Sequence, residues 1–154
     1  MTSLRRPDVR LRFVGQVDPK TGRSLCVWCG VAVEGRRVRW CSDDCVLDYK
    51  LARGDQGAAR KLVWKLHRGV CQLCKTDVNK QRRALSKQFG SIFEMRRTRP
   101  ELYDQCRWDA DHIVPIVEGG KLDRTNLRTL CRRCHKDVTK KLRARLAAKR
   151  KART

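Results

Sequence analysis

The sequence contains no long apolar run. No stretch approaches the roughly 20 apolar residues that a membrane-spanning helix requires, which excludes a helical membrane span. No apolar segment follows the basic N-terminal residues, so no secretory signal is predicted. We therefore expect an intracellular location, either the cytoplasm of a prokaryote or phage host or a eukaryotic nucleus. A phosphate loop of the Gly-x-x-x-x-Gly-Lys-Ser/Thr type is also absent, so the chain is not expected to be a nucleotide-driven motor.

Acidic residues are scarce. Asp and Glu number 16 against 38 Lys and Arg, which leaves a formal net charge of +22. A chain with this charge attracts polyanions, so duplex or branched DNA is the expected partner and an acidic protein surface is the second class to consider. Among oligomeric states, a monomer is favoured.

Cysteine, by contrast, is abundant. Eight of the nine cysteines form close pairs, and Cys106 remains outside them. The pairs are Cys26/Cys29, Cys41/Cys45, Cys71/Cys74 and Cys131/Cys134. Disulfides would require secretion and do not explain the repeated short gap, whereas two such pairs supply the four thiolates of a tetrahedral zinc site. We therefore predict two structural Zn²⁺ ions, one bound by the first two pairs and one by the last two.

The chain divides into two predicted domains. Residues 1–53 form a basic arm and a four-cysteine, zinc-finger-like module. Residues 54–154 carry the second zinc site, a basic helical insertion at about 79–98 and a basic amphipathic helix that starts at about His135.

The residues best suited to catalysis lie between the third and fourth cysteine pairs. Asp111 and His112 end a predicted strand, a Gly-Gly loop reverses the chain, and a second short strand leads to the cysteine pair that His135 follows. Two strands and a helix can bring Asp111, His112 and His135 together. A carboxylate and an imidazole suit a divalent ion with open positions, and a second, neutral imidazole with a pKa near ~6.5 suits a general base.

This segment resembles the HNH endonuclease family, which has the ββα-metal fold. The matching residues are Asp111-His112, Asn126, and His135 directly after a Cys-x-x-Cys, with Cys71-x-x-Cys74 upstream. Over about residues 25–150 the chain is also similar to the HNH domains of zinc-finger annealing helicases that remodel stalled replication forks. The resemblance implies an α+β fold: a small zinc-stabilised HNH core with a helical insertion and a C-terminal basic helix, preceded by a four-cysteine zinc module.

The resemblance also implies a role for each matching residue. Asp111 and His135 would hold one Mg²⁺ or Mn²⁺ at the scissile phosphate, and His112 would take a proton from the attacking water. Asn126 would pin the loop that fixes this base. The implied activity is metal-dependent hydrolysis of DNA phosphodiester bonds, with selectivity for forks, flaps or nicks.

Basic side chains are the expected phosphate contacts. They border the first zinc module and follow the C-terminal helix: Arg36, Arg37, Arg39, Lys140, Lys141, Arg143 and Arg145. Such contacts predict a steep salt dependence, and they do not themselves identify a base sequence. The N-terminal module is either a DNA clamp or a protein-docking surface, and its bordering arginines favour DNA.

Alternatives to a DNA nuclease stay open. A zinc-stabilised nucleic-acid-binding module without activity would use His135 only as a helix cap or a zinc ligand, although four thiolates already saturate tetrahedral zinc. RNA cleavage shares the chemistry of DNA cleavage. Asp109 shares a strand face with Asp111 and is interpreted as structural, and Cys106 receives no role.

Overall fold

The computed structural model of the protein describes residues 10–152, so the start of the predicted basic arm lies outside the described residues. The described part contains six α-helices and two strands. They are α1 Asp43–Ala52, α2 Gln56–His67, α3 Val78–Gln88, α4 Ile92–Thr98, α5 Pro100–Gln105, β1 Trp108–His112, β2 Leu127–Cys131 and α6 Arg132–Lys151. No helix in this part of the chain is long and apolar enough to cross a membrane.

The predicted α+β class is confirmed, since a two-stranded antiparallel sheet combines with helices. The chain forms two compact units, each described by itself. The first consists of the chain up to Ala59 together with Val114–Asn126, and the second of Arg60–Ile113 together with the chain from Leu127 onward. The domain boundary after residue 53 stays a prediction.

The first unit is built around α1. Ser42 caps this helix, because its hydroxyl accepts a hydrogen bond from the backbone N–H of Cys45 in the first turn. Tyr49 of α1 contacts Trp28 and Trp40, with ring centroids 5.8 and 5.3 Å apart. These aromatic contacts hold α1, which itself carries Cys45, against the segments that carry Cys26, Cys29 and Cys41.

The sheet of the second unit lies between two helices. Strands β1 and β2 pair with Trp108 opposite Cys131 and Asp111 opposite Arg128. On one face, the Thr129 hydroxyl lies 3.4 Å from the backbone oxygen of Val63 in α2. Successive strand residues point to opposite faces, so the neighbouring Leu130 faces the other way, where it belongs to the same buried cluster as Val138 of α6.

The predicted insertion at about 79–98 is helical but consists of two helices. The break falls at Gly90, whose φ of +78° is readily accessible only without a Cβ. Ser91 then caps α4 by accepting from the backbone N–H of Glu94. Pro100 occupies the first turn of the next helix, α5, where a missing N–H costs no helical hydrogen bond.

Helix α6 begins three residues earlier than the sequence predicts. The Sγ atom of Cys131 accepts from the backbone N–H of Cys134 at 3.5 Å and thereby acts as the N-cap. The last cysteine pair therefore spans the start of α6, and His135 is the fourth residue of this helix rather than the first.

Candidate metal centres and active site

Four cysteine side chains of the second unit converge at the start of α6. The Sγ atoms of Cys71, Cys74, Cys131 and Cys134 all lie within 4.8 Å of one another, and those of Cys74 and Cys131 are 3.6 Å apart. Thiolates bound to tetrahedral zinc at about 2.3 Å are roughly 3.8 Å from each other, so this donor set fits structural zinc. Hydrogen bonds with the hydroxyl and backbone of Thr76 lower the pKa of Cys74 to about 6, which favours the thiolate form.

A second group of four cysteines lies in the first unit. The Sγ atoms of Cys26, Cys29, Cys41 and Cys45 are also mutually within 4.8 Å. That of Cys41 lies 3.5 Å from the Sγ of Cys29 and 3.4 Å from the Sγ of Cys45. All nine cysteines are free of disulfides. Both predicted four-cysteine groups are thus formed, and both are compatible with structural zinc.

The imidazole of His135 lies between two carboxylates of β1. Its Nδ1 is 3.1 Å from Oδ2 of Asp109, and its Nε2 is 3.8 Å from Oδ1 of Asp111. Because an ionised carboxylate only accepts hydrogen bonds, Nδ1 of His135 donates to Asp109, and in the neutral imidazole this leaves the lone pair of Nε2 directed toward Asp111. In that form, Nε2 of His135 and Oδ1 of Asp111 face each other beyond hydrogen-bond distance, and both can act as ligands of a cation.

This donor pair fits a divalent ion. Ligands of Mg²⁺ lie about 2.0–2.1 Å from the metal, so two atoms bound to one ion are at most roughly 4.2 Å apart. The 3.8 Å between His135 Nε2 and Asp111 Oδ1 is within that limit. Mg²⁺ commonly takes only one or two protein ligands and completes its shell with water and substrate phosphate. Asp111 and His135 could therefore hold such an ion.

A second basic group contacts the same carboxylate. Nε and Nη2 of Arg128 each lie 2.9 Å from Oδ2 of Asp111. Only 17% of the Arg128 side chain and 14% of the Asp111 side chain is exposed. This ion pair crosses the sheet between directly opposed residues of β1 and β2. It leaves Oδ1 of Asp111 directed toward His135.

His112 occupies the last position of β1, opposite Leu127. Strand alternation assigns its side chain to the face opposite that of Asp109 and Asp111, although regular alternation ends where the strand ends. Among the described residues, none forms a hydrogen bond or ion pair with its half-buried imidazole. The structure thus brings Asp111 and His135 together. The imidazole of His112 has no hydrogen-bond or ion-pair partner among the described residues.

The side chain of Asn126 stabilises the loop of the first unit that follows β1 in the chain. Its Oδ1 accepts from the backbone N–H of Val114 at 2.7 Å, and its Nδ2 donates to the backbone oxygens of Val114 and Lys121, both at 2.9 Å. The side chain is largely buried, since only 8% of the residue is exposed. Gly120 passes so close that a Cβ there would lie 1.9 Å from the Val114 oxygen.

The basic residues expected to contact phosphate are exposed in both units. In the first unit, Arg37 forms an ion pair with Asp43 at 3.0 Å. In the second unit, Lys140 and Arg143 line a cavity of about 390 Å³ that also includes His135. The cavity therefore connects basic side chains of α6 with the imidazole beside Asp111.

Three site residues were not predicted as such from the sequence. Asp109 contacts His135 directly, Arg128 contacts Asp111, and Arg132 donates to Asp109 at 3.0 Å. Strand alternation indicated that Asp109 shares a face with Asp111. The role of Arg128 depends on strand register and that of Arg132 on the approach of α6, and neither has a local signal in the sequence.

Comparison with known proteins shows which proteins this chain resembles. Residues 100–141 match the family model described as HNH endonuclease. The chain is 29% identical over 152 residues to the protein named "DNA annealing helicase and endonuclease ZRANB3" of Mus musculus, over 82% of this chain and 14% of that protein. The Homo sapiens protein of the same name is 28% identical over 159 residues, covering 87% of this chain and 15% of that protein. The chain thus spans about one seventh of the length of these relatives.

The crystal structure of the human ZRANB3 HNH domain aligns with 61% of this chain and 97% of its own length, at 27% identity and a TM-score of 0.44. The family-model match at residues 100–141 and the similarity to relatives named as endonucleases support a nuclease-type domain. Residues 100–141 thus match the model of the HNH endonuclease family, in agreement with the resemblance read from the sequence.

Proposed function

We propose that the protein is a divalent-metal-dependent HNH endonuclease that hydrolyses DNA phosphodiester bonds. The observation that carries the proposal is the position of His135 between Asp109 and Asp111, with Nε2 3.8 Å from Oδ1 of Asp111. Asp109 holds the proton on Nδ1 of His135, and so keeps Nε2 available as a ligand. Asp111 and His135 would hold one Mg²⁺ or Mn²⁺, which supplies electrostatic stabilisation of charge on the phosphate and the leaving 3′-oxygen.

His112 is the proposed general base. It adjoins Asp111 at the last position of β1, where regular alternation of side chains ends, and both side chains are proposed to face one phosphate at the end of the strand. An imidazole without a protein partner among the described residues is available to bind water. His112 accepts a proton from this water as its oxygen attacks phosphorus. The bond from phosphorus to the 3′-oxygen breaks, and the leaving oxygen keeps the electron pair and takes a proton from solvent water, giving 5′-phosphate and 3′-hydroxyl ends.

Asn126 acts in this proposal through the backbone. Its three hydrogen bonds close the segment from Val114 to Lys121, which follows the proposed base in the chain. A base displaced by about 1 Å can lose on the order of a hundredfold in rate, so the conformation of this segment affects catalysis. The two structural zinc ions proposed at the four-cysteine groups stabilise the elements that carry the site.

The proposed substrate is DNA, bound through its phosphates. The cavity beside His135 is lined by Arg132, Lys136, Thr139, Lys140 and Arg143, a set that favours a phosphate backbone. Lys141 and Arg145 extend the basic surface of α6, and Arg36, Arg37 and Arg39 extend that of the first unit. Selectivity for forks, flaps or nicks is proposed by analogy with relatives named as annealing helicases and endonucleases. The proposal includes a reducing intracellular compartment, because the thiolates must stay unoxidised.

The test is cleavage of supercoiled plasmid and of labelled duplex, fork and flap DNA with Mg²⁺ or Mn²⁺. We expect nicking by the wild type, no detectable nicking by His112→Ala or Asp111→Asn, and unchanged zinc content and DNA binding in both variants. Asp137→Asn is the matched control, since it removes the same charge from an exposed position on α6. Intact DNA with every metal and every substrate would overturn the proposal.

A non-catalytic zinc-stabilised nucleic-acid-binding module is the second candidate. The ion pair between Arg128 and Asp111 favours it, because a structural role alone would satisfy both side chains. This candidate predicts salt-sensitive DNA binding that Asp111→Asn leaves intact and no cleavage under any condition. The same plasmid assay therefore separates the two functions.

A further inference from the structure

Arg124 connects two sequence-distant parts of the first unit. Its Nη1 lies 3.0 Å from Oδ1 of Asp44, its Nη2 donates to the backbone oxygen of Asp44 at 2.8 Å, and its Nε donates to the carboxylate of Asp48. Three nitrogens of one guanidinium are therefore engaged by a single helix. The planar fork of arginine makes such a multiple contact directional, which a lysine could not reproduce.

The partners of Arg124 are part of the first four-cysteine module. Asp44 and Asp48 are four residues apart, so they lie on the same side of α1. Asp44 directly precedes Cys45, whose Sγ belongs to the four-cysteine group. The position of the Asp44 carbonyl therefore depends on the geometry of this group.

On its other side, Arg124 belongs to the segment that Asn126 closes. Oδ1 of Asp123 accepts from the backbone N–H groups of Thr125 and Asn126 at 3.0 and 3.1 Å, which gives this turn a defined shape. Asn126 in turn binds both backbone groups of Val114. The contact of Arg124 with α1 therefore bears on the whole segment 114–126, which shares the first compact unit with the module.

We propose that the Cys26/Cys29/Cys41/Cys45 module fixes the conformation of the segment 114–126, a role that we call the mount. Arg124 is the positioning residue that connects the module to this segment. This inference rests on the proposed nuclease function for its catalytic consequence, though not for the mount itself. The module then acts on catalysis through the conformation of the segment after His112, in addition to any contact that its arginines make with DNA.

The mount is tested by hydrogen–deuterium exchange on the zinc-loaded full chain. We expect Arg124→Ala to accelerate amide exchange in peptides of residues 114–126 by about tenfold or more, with no change in peptides of β2. The double variant Asp44→Asn with Asp48→Asn should do the same, and combining it with Arg124→Ala should add nothing, because both remove one contact. Arg23→Ala is the control, since it removes an equal charge from an exposed position of the same unit.

The catalytic consequence is tested by nicking kinetics. We expect Arg124→Ala to lower kcat about tenfold to a hundredfold with the KM for DNA unchanged, whereas loss of a DNA contact would raise KM. Zinc content of two ions per chain shows that the variant is folded. Unchanged exchange in 114–126 would overturn the mount, and additive effects in the combined variant would overturn the role of Arg124. A wild type that does not cleave DNA would overturn the proposed function and this catalytic consequence, while the exchange result would still decide the mount.

Discussion

Replacement of Asp109 by Asn tests how β1 prepares His135. Oδ2 of Asp109 lies 3.1 Å from Nδ1 of His135 and 3.0 Å from Nη1 of Arg132, and the carboxylate also lies 3.7 Å from Arg60. Only 18% of the side chain is exposed. Asn keeps the shape and one acceptor but removes the charge, so His135 loses a charge-assisted partner and the preference for a proton on Nδ1.

The expected effect is a weaker catalytic metal site. Loss of the outer hydrogen-bond partner of a metal-binding histidine typically lowers metal affinity by about 10–100-fold. Since each factor of ten corresponds to about 1.4 kcal/mol, the expected loss for Asp109→Asn is about 1.4 kcal/mol, at the lower end because one acceptor remains. We would titrate Mn²⁺ into the zinc-loaded protein and measure free Mn²⁺ by electron paramagnetic resonance.

Asp104→Asn is the matched control for this experiment. Asp104 contacts Arg132 at 3.1 Å and Lys136 at 3.0 Å, so its replacement also removes a charge that holds α6, but none of its described contacts is to His135. We expect its Mn²⁺ affinity to equal that of the wild type. An unchanged affinity in Asp109→Asn, or an equal loss in Asp104→Asn, would refute the idea that Asp109 prepares His135 as a ligand.

Three further predictions concern stability. Cys131→Ser should leave one zinc per chain and lower the melting temperature by more than about 10 °C, because zinc binding to such sites contributes about 10–16 kcal/mol. Cys106→Ser is the control and should retain both ions. Gly120→Ala should destabilise the chain by about 1–3 kcal/mol and lower nicking, because its Cβ would meet a backbone oxygen at 1.9 Å. Gly119→Ala, which meets nothing within 4 Å, should cost about 1 kcal/mol for its positive φ alone. Burial lowers the pKa of His67 below 6.5, so its contribution to stability is complete above that pH and is lost as the pH falls through its folded pKa.

The measurements for these three are metal analysis with thermal melts, denaturant unfolding, and unfolding free energy as a function of pH. His67→Gln should flatten the loss of stability on acidification relative to the wild type, since the unfolded chain no longer binds the extra proton. Two zinc ions in Cys131→Ser, equal stability of the two glycine variants, or identical pH profiles would each contradict the corresponding argument.

Much of the fold followed from local patterns. The spacing within each cysteine pair predicted the four thiolate pairs, because zinc ligands two to four residues apart lie on one turn of chain. The amphipathic pattern of basic and apolar residues after the last cysteine pair predicted α6. The start of α6 was missed by three residues, because the cap is the sulfur of Cys131, a residue whose preference for zinc conceals its role as a cap.

The candidate site shows where such reasoning ends. Alternation along β1 indicated that Asp109 and Asp111 share a face, but their different partners follow from the approach of α6. Arg128 meets Asp111 because the two strands pair in one register out of several possible ones. A register shift of one residue would place Arg128 on the opposite face and remove that ion pair.

The sequence by itself determined the cysteine pairs, the charge and the order of the two strands and α6, because these depend on residue type and on spacings of a few positions. Only the tertiary structure decided that Nδ1 of His135 faces Asp109 while Nε2 faces Asp111. It also decided that Arg124 binds Asp48 of α1, although the two residues are 76 positions apart in the chain. Contacts of this kind depend on how separately formed elements pack, and the packing free energy is a sum over the whole unit that no single segment encodes.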